Sequence, residues 1–467
     1  MPTTGLSGGV KVIFEIASRL AGAGFEVDVF SYAGAPKWHS LDLKLIPQKN
    51  LEDIPCSDYD FVLVSNPFMV PMILPVLGTA RGVYFCQDYE SFHHARGNRF
   101  EDYVFDDPTF REIYALPIPI IAVSTSIRQL IKDRIGRKCY YMPVGINKDC
   151  FQPIPIKKQS ERKRVLMIGN YLTPHKGMPD GFQSLALLNE RMPVELVLAT
   201  QQERERSIFA DLPYPVEIHH CPGEPDIRTI MSTCDVYCCT SWYEGLGLPG
   251  IEAFHCGLPV VSTRDYGVDE YGIDGVNILL ANPNDPQDLA QKLYTLLSDE
   301  GMRAQFRTAG FETVANRYRW EYSLNAMIEA LDDIAETYSA PDVDSDAMDE
   351  LVRRLDREGS LTPIEVFRRF HEIAAEIDII CDRSALDGAL SAGNALQLAT
   401  LYDELKQYTS NPAAEYYKAF KALLDRTRMV RGLAGMPVAA AALRKLVERK
   451  QAEAPATPQN VREIKYQ

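Results

Sequence analysis

Apolar residues change their spacing repeatedly along the chain, and these changes predict strands that alternate with helices. Between residues 10 and 23 they recur at helical spacing and Gly24 ends the run, so this segment is predicted as a helix. Residues 25–31 alternate apolar and polar positions, as a half-buried strand does. Short apolar runs rich in strand formers follow at 59–65, 81–86, 118–124, 165–169, 194–200, 216–220 and 234–240.

This alternation predicts an α/β fold with parallel sheets, because helical crossovers join parallel strands. In open parallel sheets, ligands bind beyond the carboxyl ends of the strands. Asp88 follows the predicted strand 81–86, where it could orient a substrate hydroxyl, take its proton, or only cap the loop. The other polar candidates at or near such ends are Asn66, Gln87, His93 and His94. No set of residues with metal-ligand spacing surrounds the two histidines, so no metal site is predicted.

A glycine-rich turn between the strand 234–240 and a two-turn helix is the strongest candidate site. Gly245, Gly247 and Gly250 would let backbone amides approach a ligand, and a helix N-terminus attracts anions. Glu244 and Glu252 bracket the turn, and a carboxylate accepts two hydrogen bonds well, as vicinal sugar hydroxyls require. The pattern favours a sugar nucleotide as ligand. The alternative is that Glu252 only offsets the helix dipole.

Composition narrows the class of protein. The 467 residues suggest two or three domains, and the formal charge of −15 argues against general nucleic-acid binding. The ten cysteines form no C-x-x-C pair, which favours reduced thiols in a cytoplasmic protein. No apolar run approaches membrane-spanning length, and no signal peptide opens the sequence, so a cytoplasmic location is expected.

Residues 244–253, Glu-Gly-Leu-Gly-Leu-Pro-Gly-Ile-Glu-Ala, resemble the Glu-x7-Glu block of the retaining glycosyltransferases of family 4. Residues 143–147 resemble the family's Pro-x-Gly-Ile-Asp segment, which joins its two halves. The resemblance runs from about residue 7 to 338 and implies the GT-B architecture, two Rossmann-like domains facing across a cleft. The expected fold class is therefore α/β, with an all-α extension at the C-terminal end.

The resemblance sets the expected domain boundaries. Residues 1–152 would form the acceptor domain, completed by a crossing helix at 319–338, and residues 162–318 would form the nucleotide-sugar domain. The family's first loop follows a strand, whereas Gly8 and Gly9 open a helix with no strand before it. Either the true start lies upstream or the first sheet lacks that strand. Residues 341–467 would form the helical extension, which resembles no family known to us.

The resemblance also implies roles for individual residues. Lys176 matches a lysine that grips the donor diphosphate, whereas Asn170 stands where the family has an arginine. Glu244 would hold donor-sugar hydroxyls and Glu252 the ribose. Family members commonly place a histidine near position 87, so the catalytic assignment on that side rests on Asp88 instead. The implied donor-binding residues are Gly245, Leu246, Gly247, Leu248, Pro249, Glu252, Asn170, Gly8 and Gly9, and the acceptor-side residues are Gln87, His93, His94 and Asn66.

The implied reaction transfers a sugar from a nucleotide-diphosphate donor to an acceptor hydroxyl with retention, without metal or other cofactor. The implied acceptor is a bacterial surface polysaccharide or a lipid-linked glycan. A non-catalytic scaffold of the same fold and another GT-B enzyme, an epimerase or a phosphorylase, are the alternatives. The predicted helix 437–451 is basic, and it is a candidate for contact with a protein partner or with anionic lipid at the inner face of a membrane.

Overall fold

The structure is a computed structural model that describes residues 7–31, 43–47, 54–89, 100–102, 108–155, 160–171, 173–201, 209, 211–339, 343–357 and 461–465. The candidates His93 and His94 lie outside these residues, and so do the predicted helices between 363 and 451. Within the described residues, no helix combines the length and the apolar character needed to cross a membrane.

The first domain begins with a helix whose two faces pack on different parts of the domain. Its elements are α1 (Gly8–Gly22), β1 (Asp28–Ser31), β2 (Lys44–Pro47), β3 (Phe61–Val64), α2 (Met69–Ile73), β4 (Arg81–Cys86), α3 (Pro108–Ala115), β5 (Ile120–Ala122), α4 (Thr125–Ile135) and β6 (Tyr140–Tyr141). Strands β3, β4, β5 and β6 form a parallel sheet in that order, and β1 pairs with β2 in a separate parallel sheet. Helix α1 packs Val10 and Phe14 toward β1 and β2, while Val12 and Ile16 join the larger core.

The second domain is a doubly wound α/β unit. Its elements are β7 (Lys163–Ile168), α5 (Met178–Asn189), β8 (Val194–Thr200), β9 (Val216–His220), α6 (Glu224–Thr233), β10 (Val236–Cys239), α7 (Leu248–His255), β11 (Val260–Thr263), β12 (Ile278–Ala281), α8 (Pro286–Ser298) and α9 (Glu300–Val314). Its parallel sheet runs β12-β11-β10-β7-β8-β9. The chain therefore reverses its direction across the sheet between β7 and β10, and such a switch point is where this fold binds ligands.

Helix α10 (Trp320–Thr337) leaves the second domain and packs against the first. The Arg19 guanidinium of α1 lies over the Trp320 ring at 4.7 Å, and Arg81 donates to the carbonyl of Ala335 at 3.1 Å. Helix α11 (Ser345–Arg357) follows and packs on α2, where it buries Leu351. The start of the C-terminal region is thus attached to the first domain.

The C-terminal region is not all-α, and that prediction is wrong at residues 461–465. Strand β13 (Val461–Lys465) pairs in parallel with β9 and becomes the edge strand of the second domain's sheet. Its sequence, Val-Arg-Glu-Ile-Lys, places β-branched residues two or more positions apart among polar ones. β-branched residues favour strands, and a free sheet edge supplies the backbone partners.

The two domains contact one another through hydrogen bonds, two of them buried. Ser124 Oγ, at the start of α4, donates to the carbonyl of Gly245 at 2.6 Å, and the Tyr89 amide donates to Tyr243 Oη at 2.9 Å. Glu270 of the second domain accepts hydrogen bonds from the Thr125 amide at 2.9 Å and from Tyr141 Oη at 2.7 Å. These bonds hold the domains in a closed arrangement.

Candidate functional site

The switch point brings the loops after β7 and β10 together. Thr240 Oγ1 donates to the carbonyl of Lys176 at 2.6 Å, and the Trp242 amide donates to the carbonyl of His175 at 2.7 Å. Gly177 has a φ of +57°, and a methyl group there would overlap the carbonyl oxygen of Thr240. The close packing of the two loops therefore requires glycine at this position.

Lys176 and Glu244 form an ion pair at this junction. Lys176 Nζ lies 2.8 Å from Glu244 Oε1, and the Ser241 hydroxyl donates to the same oxygen. Although burial alone would lower the pKa of Lys176, the charges of Glu244 and Asp88 raise it above the usual range. Lys176 is therefore protonated at neutral pH, and its positive charge suits contact with phosphate oxygens.

Two helix N-termini face the same region. Helix α7 begins after Gly247, whose φ of +77° turns the chain into the helix, and glycine offers no side chain to cap it. A methyl group on Gly8, the first residue of α1, would lie 3.5 Å from Leu248 Cδ1 at the start of α7. Because helix N-termini carry partial positive charge, their convergence favours an anionic ligand. The first helical residue of α7 is Leu248.

Glu252 lies on α7 and forms an ion pair with Lys11, a residue that the sequence pattern did not single out. Lys11 Nζ of α1 lies 3.7 Å from Glu252 Oε1 and contacts Glu224 Oε1. Asn147 donates to the other oxygen of Glu224 at 2.9 Å. Burial raises the pKa of Glu252, Lys11 opposes that rise, and Glu224 adds to it. Lys11 therefore joins the first domain to the carboxylate predicted to bind ribose.

The first-domain side of the site is formed by the segment after β4. A methyl group on Gly9 would lie 3.5 Å from the Gln87 side-chain amide, and one on Gly245 would overlap the Gln87 carbonyl oxygen. Asp88 Oδ1 accepts from the Tyr89 amide at 2.9 Å, and its charge acts on Lys176 across the domain boundary. Gln87 and Asp88 are thus brought close to the donor-side loops.

The remaining residues predicted for the site differ in their surroundings and in their burial. Asn66 accepts from the Phe68 amide at 3.0 Å in a local turn, and Asn170 begins the loop that leads to Lys176. Leu246 is buried, whereas Leu248 and Pro249 at the start of α7 are half-buried. The side chain of Leu246 therefore serves packing and is not available to a ligand.

Sequence reasoning missed several residues around the site. Asp265 is buried after β11 and accepts from the Val268 amide at 2.8 Å. Burial, and after it the charge of Glu244, raises the pKa of Asp265 to about 8, so this carboxyl is largely protonated at neutral pH. Lys11 and Glu224 are 213 residues apart, and no local pattern links them. The one available signal was that Lys11 follows the Gly8-Gly9 turn.

Comparisons with known proteins agree with this geometry. Residues 151–313 match the family model described as glycosyl transferases group 1. The MMP alpha-(1->4)-mannosyltransferase of Mycolicibacterium hassiacum is 28% identical over 230 residues, which cover 46% of this chain and 55% of that protein. The N,N'-diacetylbacillosaminyl-diphospho-undecaprenol alpha-1,3-N-acetylgalactosaminyltransferase of Campylobacter jejuni is 28% identical over 178 residues, 35% of this chain and 46% of that protein. The matches thus span about half the length of these curated relatives.

Solved structures share the fold. The structure of Anabaena Alr3699/HepE in complex with UDP-glucose superposes with a TM-score of 0.58 at 16% identity, covering 71% of this chain and 98% of that one. At this identity the likeness concerns the fold, two α/β domains of the GT-B type. The switch-point site thus lies within residues 151–313, the part of this chain that matches the glycosyl transferases of group 1.

Proposed function

We propose that this protein transfers a sugar from a nucleoside-diphosphate donor to an acceptor hydroxyl with retention of anomeric configuration. The observation that carries the proposal is the Lys176–Glu244 pair, 2.8 Å apart at the switch point and beside the N-terminus of α7. A cation and helix amides suit a diphosphate, and a carboxylate suits sugar hydroxyls. The neighbouring Glu252 supplies a second carboxylate for the ribose.

In the proposed reaction the bond between the anomeric carbon and the diphosphate breaks, and its electron pair leaves with the phosphate oxygen. Lys176 and the backbone amides of residues 245–248 stabilise that negative charge, which is the main electrostatic requirement of the step. The acceptor oxygen bonds to the anomeric carbon on the face that the diphosphate leaves, so the configuration is retained. Asp88 orients the acceptor hydroxyl, whose proton passes to the departing phosphate oxygen. Because lysine and amides supply the positive charge, we propose that no divalent metal is required. Activity that survives EDTA would support this part.

The proposed acceptor is a lipid-linked or polysaccharide glycan. Two relatives support this proposal. One acts on a diphospho-undecaprenol compound, and the other is a phosphatidyl-myo-inositol mannosyltransferase of Mycobacterium leprae. The basic segment predicted near residues 437–451 lies outside the described residues, so contact with anionic lipid remains a prediction.

Donor turnover tests the proposal directly. The protein is incubated with a panel of sugar nucleotides, and release of nucleoside diphosphate is followed with and without glycan acceptors. We expect Lys176→Ala and Glu244→Ala each to lower kcat/KM by about 100-fold, the usual cost of losing a charge-stabilising group. Lys292→Ala on α8, which is remote from the switch-point loops, is the control. Unchanged activity in both site variants would refute the site assignment.

The loss of an arginine at Asn170 favours a second candidate, a non-catalytic partner protein that keeps the fold. Isothermal titration with nucleoside diphosphates separates the two candidates. A wild-type protein that binds no nucleotide and turns over no donor would support the scaffold and refute the enzyme.

A further inference from the structure

Lys11 is fixed across the domain boundary by contacts on several sides. Its ammonium group contacts Glu224 Oε1, lies 3.7 Å from Glu252 Oε1 and sits 5.7 Å from the centre of the Phe151 ring. Only 15% of its side chain is exposed. A lysine on a surface helix would ordinarily extend into water, so this placement costs side-chain entropy and desolvation that the two carboxylates offset.

Glu252 depends on this cation. The carboxylate is 12% exposed, and burial without a positive partner favours its protonated form. A protonated carboxyl group keeps less capacity to accept two hydrogen bonds from vicinal hydroxyls. In the described part of the chain, Lys11 is the one residue that forms an ion pair with Glu252.

The pair also depends on domain closure. Lys11 belongs to α1 in the first domain, whereas Glu252 and Glu224 belong to α7 and α6 in the second. Asn147, in the segment that joins the domains, donates to Glu224 Oε2 at 2.9 Å and so fixes the carboxylate that anchors Lys11. Separation of the domains would return all three charges to water.

We infer that Lys11 is a positioning residue for the donor, which holds Glu252 ionised and oriented when the domains close. The inference rests on the proposed function, because it assigns the ribose of the donor to Glu252. Lys11 reaches Glu252 from the opposite domain, so full donor binding requires the closed arrangement.

The test compares Lys11→Met and Lys11→Arg with wild type, using the donor that wild type turns over. Lys11→Met should raise the donor KM about tenfold, the scale of one lost charge-assisted contact, while kcat changes by less than about threefold. Lys11→Arg should restore most of the affinity. Lys44→Met is the matched control, because Lys44 lies in the same domain with 73% of its side chain exposed.

A pH profile separates this role from a purely structural one. The charged and titratable groups facing Glu252 are Lys11 on α1, Glu224 on α6, and the thiols Cys150 and Cys256, whose pKa values burial raises. In Lys11→Met the donor KM should rise further as the pH is lowered, because Glu252 takes up a proton more readily without its cation. Wild type should show a flatter profile.

Distinct outcomes overturn distinct claims. A wild type that turns over a donor, together with a Lys11→Met variant of unchanged KM and pH profile, would refute the inference alone. A wild type that neither binds nor turns over any donor would refute the proposed function and the inference with it. Equal losses in Lys11→Met and Lys11→Arg, with kcat falling as much as KM rises, would also refute the positioning role.

Discussion

Two carboxylates at the domain interface, Glu270 and Glu244, show how differently the same group can be used. Both follow strands of the second domain and both face the first. Glu270 has 1% of its side chain exposed, and its two oxygens accept from the Thr125 amide and from Tyr141 Oη. Within the described residues, both hydrogen bonds to Glu244 end on one oxygen, Oε1.

The difference separates a structural carboxylate from a ligand-binding one. Glu270 stands at the N-terminus of α4 in the other domain, so its charge and its bonds are used by the protein itself. Glu244 keeps acceptor capacity for a ligand and stands beside a lysine that can turn to a phosphate. A group whose bonding is completed by the fold contributes stability, and one whose bonding is incomplete is available for function.

The largest expected effect tests the structural half of this comparison. Glu270→Ala would remove the charged acceptor of both the Thr125 amide and the Tyr141 hydroxyl, so we expect a loss of about 3 kcal/mol in unfolding free energy. Urea unfolding followed by tryptophan fluorescence measures it, with the exposed Glu312→Ala as control. A loss below about 1 kcal/mol would contradict the structural assignment of Glu270.

The carboxylate of Glu217 has its hydrogen-bond partners within the second domain, and it makes the stability of that domain depend on pH. Glu217 on β9 accepts from Arg164 at 2.8 Å, and the hydrogen bond with His219, followed by the Arg164 contacts, lowers its pKa from 4.5 to about 2. Because the pKa of Glu217 is lower in the folded protein than in the unfolded one, its ionisation stabilises the fold at pH values above the unfolded-state pKa. That stabilisation is lost as pH falls toward 2. We expect on the order of 2 kcal/mol to be lost between pH 5 and pH 2.

The matched variant for this loss is Glu217→Gln, which cannot ionise. Its unfolding free energy should be lower than that of wild type at pH 7 and should fall less between pH 5 and pH 2. Parallel curves for the two proteins would show that Glu217 does not carry the acid sensitivity of the second domain.

The smallest expected effect tests the functional half of the comparison. Glu244→Ala should change the unfolding free energy by less than about 1 kcal/mol, because it removes a partly exposed ion pair with Lys176. The same variant should lose most donor turnover. Differential scanning calorimetry alongside the turnover assay gives both quantities. A stability loss equal to that of Glu270→Ala would remove the distinction between the two carboxylates.

Much of the fold could be predicted from local pattern. Strands β4, β8 and β9 have the bounds that apolar spacing indicated, because these strands are buried and clearly delimited. Strand β13 was missed because its five residues follow a segment of helical composition. A short strand forms only against an available sheet edge, and the sequence does not show that β9 offers one.

The candidate site could be predicted in its loops but not across the cleft. The proximity of Lys176 and Glu244 follows from the strand order, because β7 and β10 are neighbours at the switch point. The contacts of Lys11 with Glu224 and of Thr125 with Glu270 join residues more than a hundred positions apart. Such pairs form only when the domains pack together, so hydrophobic periodicity within each domain cannot predict them.

Strand β13 and helix α11 have a joint consequence for how the chain is held. α11 rests on α2 of the first domain, whereas β13 is hydrogen-bonded to β9 of the second. The two ends of the C-terminal region are therefore anchored on different domains, so separation of the domains would change the distance between α11 and β13. In the intact chain β13 is held near β9 at a high effective concentration, whereas a cut between the two anchors would make their pairing depend on a bimolecular encounter.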